Sequence, residues 1–447
     1  MHIQRKYHKE ILQIAFPSIL SNITVPLLGL SDLAIVGHLG SASYIGAIAI
    51  GSTVFNMIYW ISAFLRMGTS GMTSQAYGAS DKTEMQNLLF RSLSAATAIA
   101  ILVLGLQRLI LKFALFIMSP EPSVSVFVEE YFDICIWGTP AVLGLYCITG
   151  WFIGLQNARY PLYVAVIQNV VNIAASLFFV FVLQLNVAGV AWGTLAAQWF
   201  GLFLALFYVS RLRSKLCLSG IFISADVFKR SAISRFFTVN RDIFFRTLCL
   251  VCVTLYFTSA GAQQSAYILA ANALLMLYFT LYSYFMDGFA FAGEALAGKC
   301  IGAKDLHALR TIVRALFLWG IGVSLIFTLV YAFGGHGLMQ LLTDEPSVRT
   351  TAASYLPWVI LIPLAGFGAF VWDGIFIGLT ATRQMLLSMF GASIVFFTGY
   401  FFLFPVWHNH ALWLSFLLYL SARSLIQYLL YRNKVLPLQQ FKLIDSN

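Results

Sequence analysis

The first long apolar run of the chain reads, from Ile11 to Val36, ILQIAFPSILSNITVPLLGLSDLAIV. It is longer than the roughly 20 residues that an α-helix needs to cross a hydrocarbon layer. It is also too long for the core of a cleavable signal peptide. Asp32 is its one charged side chain. The run therefore predicts a membrane-spanning helix with a carboxylate inside it.

The composition of the whole chain agrees with this interpretation. Of its 447 residues, 60% are hydrophobic and 10% are charged, whereas soluble domains have about 45–50% and 25%. A soluble fold cannot bury such an excess of apolar side chains. The composition excludes a soluble enzyme, a nucleic-acid-binding protein and a disordered scaffold. The six cysteines lie mostly in apolar stretches and predict no disulfide framework.

Apolar runs of helical length recur along the chain, and alternating strand-like segments are absent. The runs predict an all-α membrane protein with twelve transmembrane helices. The predicted spans are 11–37, 44–77, 88–113, 126–155, 161–184, 187–210, 241–262, 266–300, 310–333, 349–379, 385–404 and 410–432.

Lysine and arginine are unevenly distributed between the loops on the two sides. Most of the 27 lie at the N-terminus, in the loops after every second span and in the C-terminal tail, whereas the opposite loops hold only Arg108, Lys112 and Arg349. Positive charge concentrates in cytoplasmic loops. Both termini are therefore predicted to be cytoplasmic, in a plasma (inner) membrane. The net charge of +10 indicates topology rather than a nucleic-acid partner.

One sequence pattern occurs twice, and its two copies are separated by a constant offset. Glu121-Pro-Ser-Val124 recurs as Glu345-Pro-Ser-Val348, and Phe152-Ile-Gly-Leu155 recurs as Phe376-Ile-Gly-Leu379. Gly78-Ala79 recurs at the same offset as Gly302-Ala303. Chance matches would not share one ungapped register, so the chain contains an internal repeat.

The repeat predicts two parallel six-helix bundles related by pseudo-two-fold symmetry. The predicted regions are an N-terminal lobe at 1–212, a cytoplasmic linker at 213–240, a C-terminal lobe at 241–433 and a cytoplasmic tail at 434–447. Two such bundles suit alternating access in a transporter. Alternatively, the duplication only builds a stable bundle.

Charged side chains inside spans are costly and therefore indicate function. Burial in low-dielectric surroundings favours the protonated form of a carboxyl group, so Asp32 is a candidate proton site. With oxygen neighbours it would instead hold sodium, a hard cation. A third interpretation is a carboxylate tied to backbone amides at the end of the span.

The fifth and sixth spans offer oxygen neighbours for Asp32. Asn169, Asn172 and Ser176 share one helical face, and Thr194 lies in the sixth span. These residues complete a candidate coupling-cation site, or they only hold helices together. Pro17 and Pro26 predict a hinge in the first span, because proline removes a backbone hydrogen bond.

The second half has its own candidate substrate or charge-relay residues, namely Arg246, Asp287, Glu294 and Asp373. Asp287 and Glu294 are two helical turns apart on one face. Arg246 either neutralises one of them, or the carboxylates attract a cationic substrate. The nearby stripe of aromatic and methionine residues between Met276 and Phe289 offers cation–π faces or ordinary packing.

Several of these motifs resemble one known family, the multidrug and toxic compound extrusion (MATE) transporters, in particular the DNA-damage-inducible (DinF-type) bacterial branch. The resemblance covers essentially the whole chain. It rests on Pro17, the motif 32–40, Gly154-Leu-Gln156, Asn169 with Asn172, the motif 187–194, Asp287-Gly-Phe-Ala-Phe-Ala-Gly-Glu294 and Trp372-Asp373-Gly-Ile-Phe-Ile-Gly378.

The resemblance implies a cation-coupled antiporter that exports amphipathic organic compounds, with Asp32 as its coupling site. Similar proteins often carry a second aspartate at the position of Ser176, so the single carboxylate here favours proton over sodium. In another branch an essential acid lies in span seven. Because this chain has Arg246 in that neighbourhood, no second-half coupling site is carried over.

The remaining expectations concern partners and other classes of protein. We expect a monomer in the lipid bilayer that handles a small organic substrate, with no cofactor, catalytic residue or resident metal. A flippase for lipid-linked precursors is one alternative, although buried arginines for a diphosphate are few. An integral-membrane enzyme is the more distant alternative, since the scattered histidines form no ligand motif and there is no P-loop.

Overall fold

The computed structural model describes residues 2–39, 41–216 and 225–437. Gly40 of the first-span motif, part of the predicted linker and most of the predicted tail therefore lie outside the described residues. The described helices are α1 His2–Gly37, α2 Ala42–Ser62, α3 Phe64–Gly78, α4 Lys82–Gly105, α5 Gln107–Met118, α6 Pro122–Cys135, α7 Thr139–Gly154, α8 Arg159–Leu177, α9 Asn186–Lys215, α10 Arg230–Ala262, α11 Ala266–Gly302, α12 Leu306–Leu342, α13 Pro346–Gly378 and α14 Thr382–Leu430.

Eleven helical segments in these ranges are long and apolar enough to cross a membrane. The last segment, Thr382–Val435, contains two of the predicted spans, and its backbone leaves helical geometry at His408 (φ 45°, ψ −123°). Counting the two sides of His408 separately gives twelve. The prediction of an all-α membrane protein with twelve transmembrane helices is confirmed.

Several segments differ from the sequence-based spans, and three of them change where helices break or end. The predicted span 88–113 is a helix from Lys82 to Gly105 followed by the separate helix α5. The carboxylate of Asp81 caps α4 by accepting a hydrogen bond from the Glu84 amide, at 2.9 Å, so the helix begins before its apolar run. Helices α9 and α10 extend to Lys215 and back to Arg230. They occupy much of the predicted linker.

The repeat is visible in the local backbone of both halves. Left-handed residues occur at Ser80 and Lys304, at Gln156 and Thr380, and at Gln184 and His408. Each of these pairs has the offset that separates the two copies of the sequence pattern. The cap on α4 also recurs, because Asp305 accepts a hydrogen bond from the Ala308 amide at 2.8 Å. Equivalent turns therefore join equivalent helices in the two halves.

Close helix packing recurs in the same way. A Cβ atom at Gly150 would overlap the carbonyl oxygen of Arg66, and one at Gly374 would overlap that of Ala290. Gly374 and Ala290 are the repeat equivalents of Gly150 and Arg66. In each half, glycine therefore allows close contact between the fourth span and the backbone of the second span. The helices concerned are α7 and α3 in the first half, and α13 and α11 in the second.

The chain divides into two compact units. The first comprises Met1–Ile19, Gly78–Ser80 and Thr238–Asn447, and the second comprises Leu20–Tyr77 and Asp81–Phe237. Residues up to Ile19 belong to the first unit because they pack on its helices; His8 Nδ1, for example, accepts a hydrogen bond from Trp319 Nε1 at 3.0 Å. The sequence-based boundaries assigned these residues to the N-terminal lobe and stay a prediction.

Candidate functional site

Asp32 forms a hydrogen-bonded chain with two of its predicted neighbours. Thr194 on α9 donates from Oγ1 to Asp32 Oδ2, at 3.1 Å, and Asn172 on α8 donates from Nδ2 to Thr194 Oγ1, also at 3.1 Å. Asp32 is 2% exposed and Asn172 is fully buried. Three helices therefore meet at one buried carboxyl group.

Polar atoms remain at the site beyond this chain. Asp32 Oδ1, Asn172 Oδ1 and Ser176 Oγ are buried, and none has a hydrogen-bond partner among the described residues. A Cβ atom at Gly193 would overlap Ser176 Oγ, so this hydroxyl lies directly against the helix that carries Thr194. Asp32 Oδ1 is thus the atom available to take a proton or to contact a cation.

Asn169 has a different partner from the one that the sequence suggested. Its Nδ2 donates to the backbone carbonyl of Thr24 on α1, at 2.8 Å, rather than to the Asp32 group. Pro26 lies two residues after Thr24 and has no amide hydrogen to offer the helix. Asn169 on α8 is therefore hydrogen-bonded to α1 close to Pro26, one of the two prolines of α1.

The two prolines of α1 lie on either side of a boundary between the compact units. The boundary falls between Ile19 and Leu20, and Pro17 precedes it whereas Pro26 follows it. Both prolines are inside the continuous helix His2–Gly37. The chain therefore passes from one unit to the other within α1. Because both prolines lack an amide hydrogen, the backbone hydrogen bonding of α1 is weakened around this boundary.

A second buried group of charges lies in the other compact unit. Asp373 on α13 pairs through Oδ2 with Arg246 of α10 and Arg423 of α14. Gln427 Nε2 donates to Asp373 Oδ1, at 2.7 Å. All four side chains are buried. Three helices are therefore connected through one carboxylate.

This arrangement changes the partner that the sequence suggested for Arg246. The sequence placed Arg246 opposite Asp287 or Glu294, but its direct ion pair is with Asp373. Asp287 and Glu294 on α11 still contribute favourable electrostatics to the buried guanidinium. Arg423 and Gln427 were not among the predicted site residues. Their four-residue spacing, which places both on one helical face, was the available signal.

The aromatic stripe on α11 is engaged in packing. Tyr278 and Tyr282 are buried, and their hydroxyls donate to the carbonyls of Gly335 and Pro363 at 2.7 and 3.0 Å. The Tyr282 ring also packs against Phe370. The packing interpretation therefore describes these two rings.

The fold and the buried carboxyl groups define a polytopic membrane transporter, and the comparisons with known proteins agree. The MatE family model matches residues 17–178 and 243–401, one match in each half of the repeat. The chain therefore belongs to the MatE family. It is a multi-pass membrane protein of the multidrug and toxic compound efflux class.

Individual relatives cover nearly the whole chain. It is 36% identical over 420 residues to "DNA damage-inducible protein F" of Escherichia coli (strain K12), covering 93% of this chain and 90% of that protein. It is 25% identical over 446 residues to "Probable multidrug resistance protein NorM" of Rhizobium meliloti, covering 93% and 91%. The Vibrio cholerae MATE transporter VcmN in its bent form matches with a TM-score of 0.87 at 17% identity, covering 99% of both chains.

Proposed function

We propose that this protein is a cation-coupled antiporter that exports amphipathic organic cations by alternating access. The coupling ion is the proton rather than sodium. The observation that carries the proposal is the chain Asn172–Thr194–Asp32, in which one carboxyl oxygen is hydrogen-bonded and the other is buried without a partner.

The chemistry of this group favours a proton over a metal cation. Ser176 supplies a hydroxyl where a second carboxylate would add charge, so the only ionisable carboxyl group in the group is Asp32. A hard cation prefers several oxygen ligands with compensating charge. A lone buried carboxylate is neutralised simply by protonation.

Transport then follows from two states of Asp32. When protonated, the site is neutral and its burial costs little; when ionised, it requires the Thr194 hydrogen bond and contact with water. Proton uptake outside and release inside reset the carrier, and the organic substrate moves outward in the other half of the cycle. We place both termini in the cytoplasm of a bacterial inner membrane, in agreement with the loop charges.

Purified protein in liposomes tests this proposal with an organic cationic dye, ethidium, as the substrate. A pH gradient and a sodium gradient are imposed separately, with the other ion equal on both sides. We expect the pH gradient alone to drive dye movement. Movement driven only by sodium would overturn the proton assignment, and no movement with either gradient would overturn coupled export.

The alternatives give different readouts in the same preparation. A flippase would move a fluorescent lipid-linked diphosphate and not the dye. The described buried arginines of the second half do not favour it, since Arg246 and Arg423 both pair with Asp373. An integral-membrane enzyme would release a covalently changed product from candidate lipids.

A further inference from the structure

Buried polar side chains continue from the Asp32 group into the interior of the same compact unit. Gln198 follows Thr194 by one turn on the same face of α9. The hydroxyl of Tyr59 on α2 faces both Gln198 and Thr139, which begins α7. A Cβ atom at Gly138 would overlap Gln198 Oε1, so this amide lies against the start of α7.

These groups are buried and interact with one another, but their contacts fall short of ordinary hydrogen-bond geometry. Tyr59 Oη, Thr139 Oγ1 and Gln198 Oε1 have no hydrogen-bond partner of ordinary geometry within the described chain. Thr139 is fully buried and Gln198 is 8% exposed. Buried polar atoms in folded proteins are nearly always satisfied, by protein or by ordered water. Three side chains that face one another therefore form a buried polar cluster with unused capacity to donate and accept hydrogen bonds.

The row of buried polar residues continues towards one end of spans two and four. The loop charges predict that this end faces the cytoplasm. Tyr59 is followed by Tyr146 and then by Arg66, each electrostatically coupled to the next. Beyond Arg66, three buried hydroxyls of α3 also have no partner among the described residues, namely Thr69, Ser70 and Thr73. Two titratable groups of α6, Tyr131 and Cys135, interact electrostatically with Asp32.

We propose that Thr194, Gln198, Thr139 and Tyr59, with intervening water, form the route by which the proton held on Asp32 leaves towards the cytoplasm. This inference rests on the proton coupling proposed above. Asp32 lies in the final quarter of α1, near the predicted outer end of the span. An internal route lets its proton reach the opposite side without passage through the substrate site.

The chemistry of the route balances at every step. Asp32 gives up its proton and becomes a carboxylate, to which Thr194 donates its hydrogen bond. Each hydroxyl or water then accepts a proton on its oxygen and passes its own proton to the next oxygen, since hydroxyl groups both donate and accept. The Gln198 amide orients this chain by accepting a hydrogen bond at Oε1.

Arg66 has a separate part in the route. A fixed positive charge disfavours a resident proton beside it, and an arginine that lines a pore opposes free passage of protons. The route therefore releases a proton that Asp32 delivers without storing it. The same charge raises the barrier to protons moving in either direction, so it limits uncoupled leak, and the pH gradient gives the direction of release.

The polar side chains have a purely structural interpretation, as hydrogen-bonding groups that hold helices together. Two assays in liposomes separate the two interpretations. Ethidium movement driven by a pH gradient requires proton release, whereas exchange of ethidium for ethidium at equal pH does not. A group on the proton route affects the first rate alone, and a group needed for helix packing affects both.

The decisive variant is Tyr59→Phe, which removes one hydroxyl and keeps the ring. We expect it to slow pH-driven movement about tenfold, as for the loss of one hydrogen-bonded step, with exchange unchanged. Gln198→Leu provides a second test at the same route. The matched control is Tyr160→Phe, since Tyr160 stacks on Tyr208 elsewhere in the same unit.

The outcomes distinguish this route from the proposed function. Equal slowing of both rates by Tyr59→Phe and Gln198→Leu, or no slowing of either, would overturn the route while wild-type antiport still stands. A wild-type protein that does not respond to the pH gradient would overturn proton coupling itself, and the route with it. Arg66→Met is expected to increase proton leak into empty liposomes, read with an internal pH dye, and an unchanged leak counts against the part given to Arg66.

Discussion

Thr194 Oγ1 donates a hydrogen bond to Asp32 Oδ2 at 3.1 Å, which joins the sixth span to the first across 162 positions of sequence. The same hydroxyl oxygen accepts from Asn172. Thr194 thus connects the candidate coupling carboxylate to two other helices. The hydrogen bond from Thr194 is stronger when Asp32 is ionised than when it is protonated. Protonation of Asp32 therefore weakens the contact between the first and sixth spans.

Replacing Asp32 by asparagine removes the proton-accepting group and keeps its shape. We predict that Asp32→Asn abolishes pH-driven dye export in proteoliposomes, because the amide cannot exchange a proton with either side. Thermal unfolding should stay close to that of the wild type. Asp133→Asn serves as the control, since Asp133 is a partly exposed carboxylate that pairs with Arg108 at the surface. Full export by Asp32→Asn would refute the assignment.

Replacing Thr194 by valine removes the hydrogen bond that stabilises ionised Asp32. Because this bond favours the charged form, its loss makes protonation easier, and the pH profile of transport should move to higher pH. The maximal pH-driven rate should also fall, because valine has no hydroxyl to serve as a step of the proposed proton route. The expected displacement is about one pH unit, the equivalent of one hydrogen bond to a charged group. Thr194→Ser keeps the hydroxyl and should retain the wild-type profile. Identical profiles for the two variants would contradict this role.

Arg423→Met tests the buried charges of the other unit. Arg246 still pairs with Asp373 after this substitution, so the loss is one buried ion pair and its hydrogen bond, and the free energy of unfolding should fall by about 1.5–3 kcal/mol. Thermal unfolding in detergent measures the change. Arg314→Met, at an exposed position of α12, provides the control. Equal effects of the two substitutions would show that the Asp373 group contributes no special stability.

Two glycines allow a paired test of helix packing. A Cβ atom at Gly374 would overlap the Ala290 carbonyl, whereas one at Gly322 meets nothing within 4 Å. Gly374→Ala should destabilise the protein by about 1–3 kcal/mol through overpacking. Gly322→Ala should stabilise it by about 0.5–1 kcal/mol, because alanine loses less backbone entropy in a helix. Chemical or thermal unfolding measures the stability of both variants. An unchanged stability of Gly374→Ala would mean that the two helices separate easily.

Pro26→Ala tests the proposed hinge of α1. Alanine supplies the missing amide hydrogen and stiffens the helix, so transport should slow by about tenfold, or about 1.4 kcal/mol in the barrier. Ethidium binding at equilibrium should be unchanged. Pro122→Ala is the control, since Pro122 lies in the first turn of α6, where proline is compatible with the helix. Unchanged turnover of Pro26→Ala would exclude a hinge there.

Some parts of the site were accessible from sequence because they depend on local spacing. Asn172 and Ser176 share a helical face whatever surrounds them, and a carboxylate in an apolar run is conspicuous. The partner of Asn169 was not accessible in this way. The same spacing argument placed it with Asp32, but its amide bonds to Thr24, because the rotation of α8 against α1 decides which residue it meets.

The sequence by itself determined the twelve spans, the internal repeat with its constant offset and the location of Asp32 inside the first span. These features follow from hydrophobic length, periodicity and the cost of buried charge, all of which act along the chain. Only the tertiary structure decided that Asp373 pairs with Arg246 and Arg423, and that residues up to Ile19 pack with the second half. Such pairings join residues far apart in sequence, and they depend on how helix surfaces fit together, which no local pattern specifies.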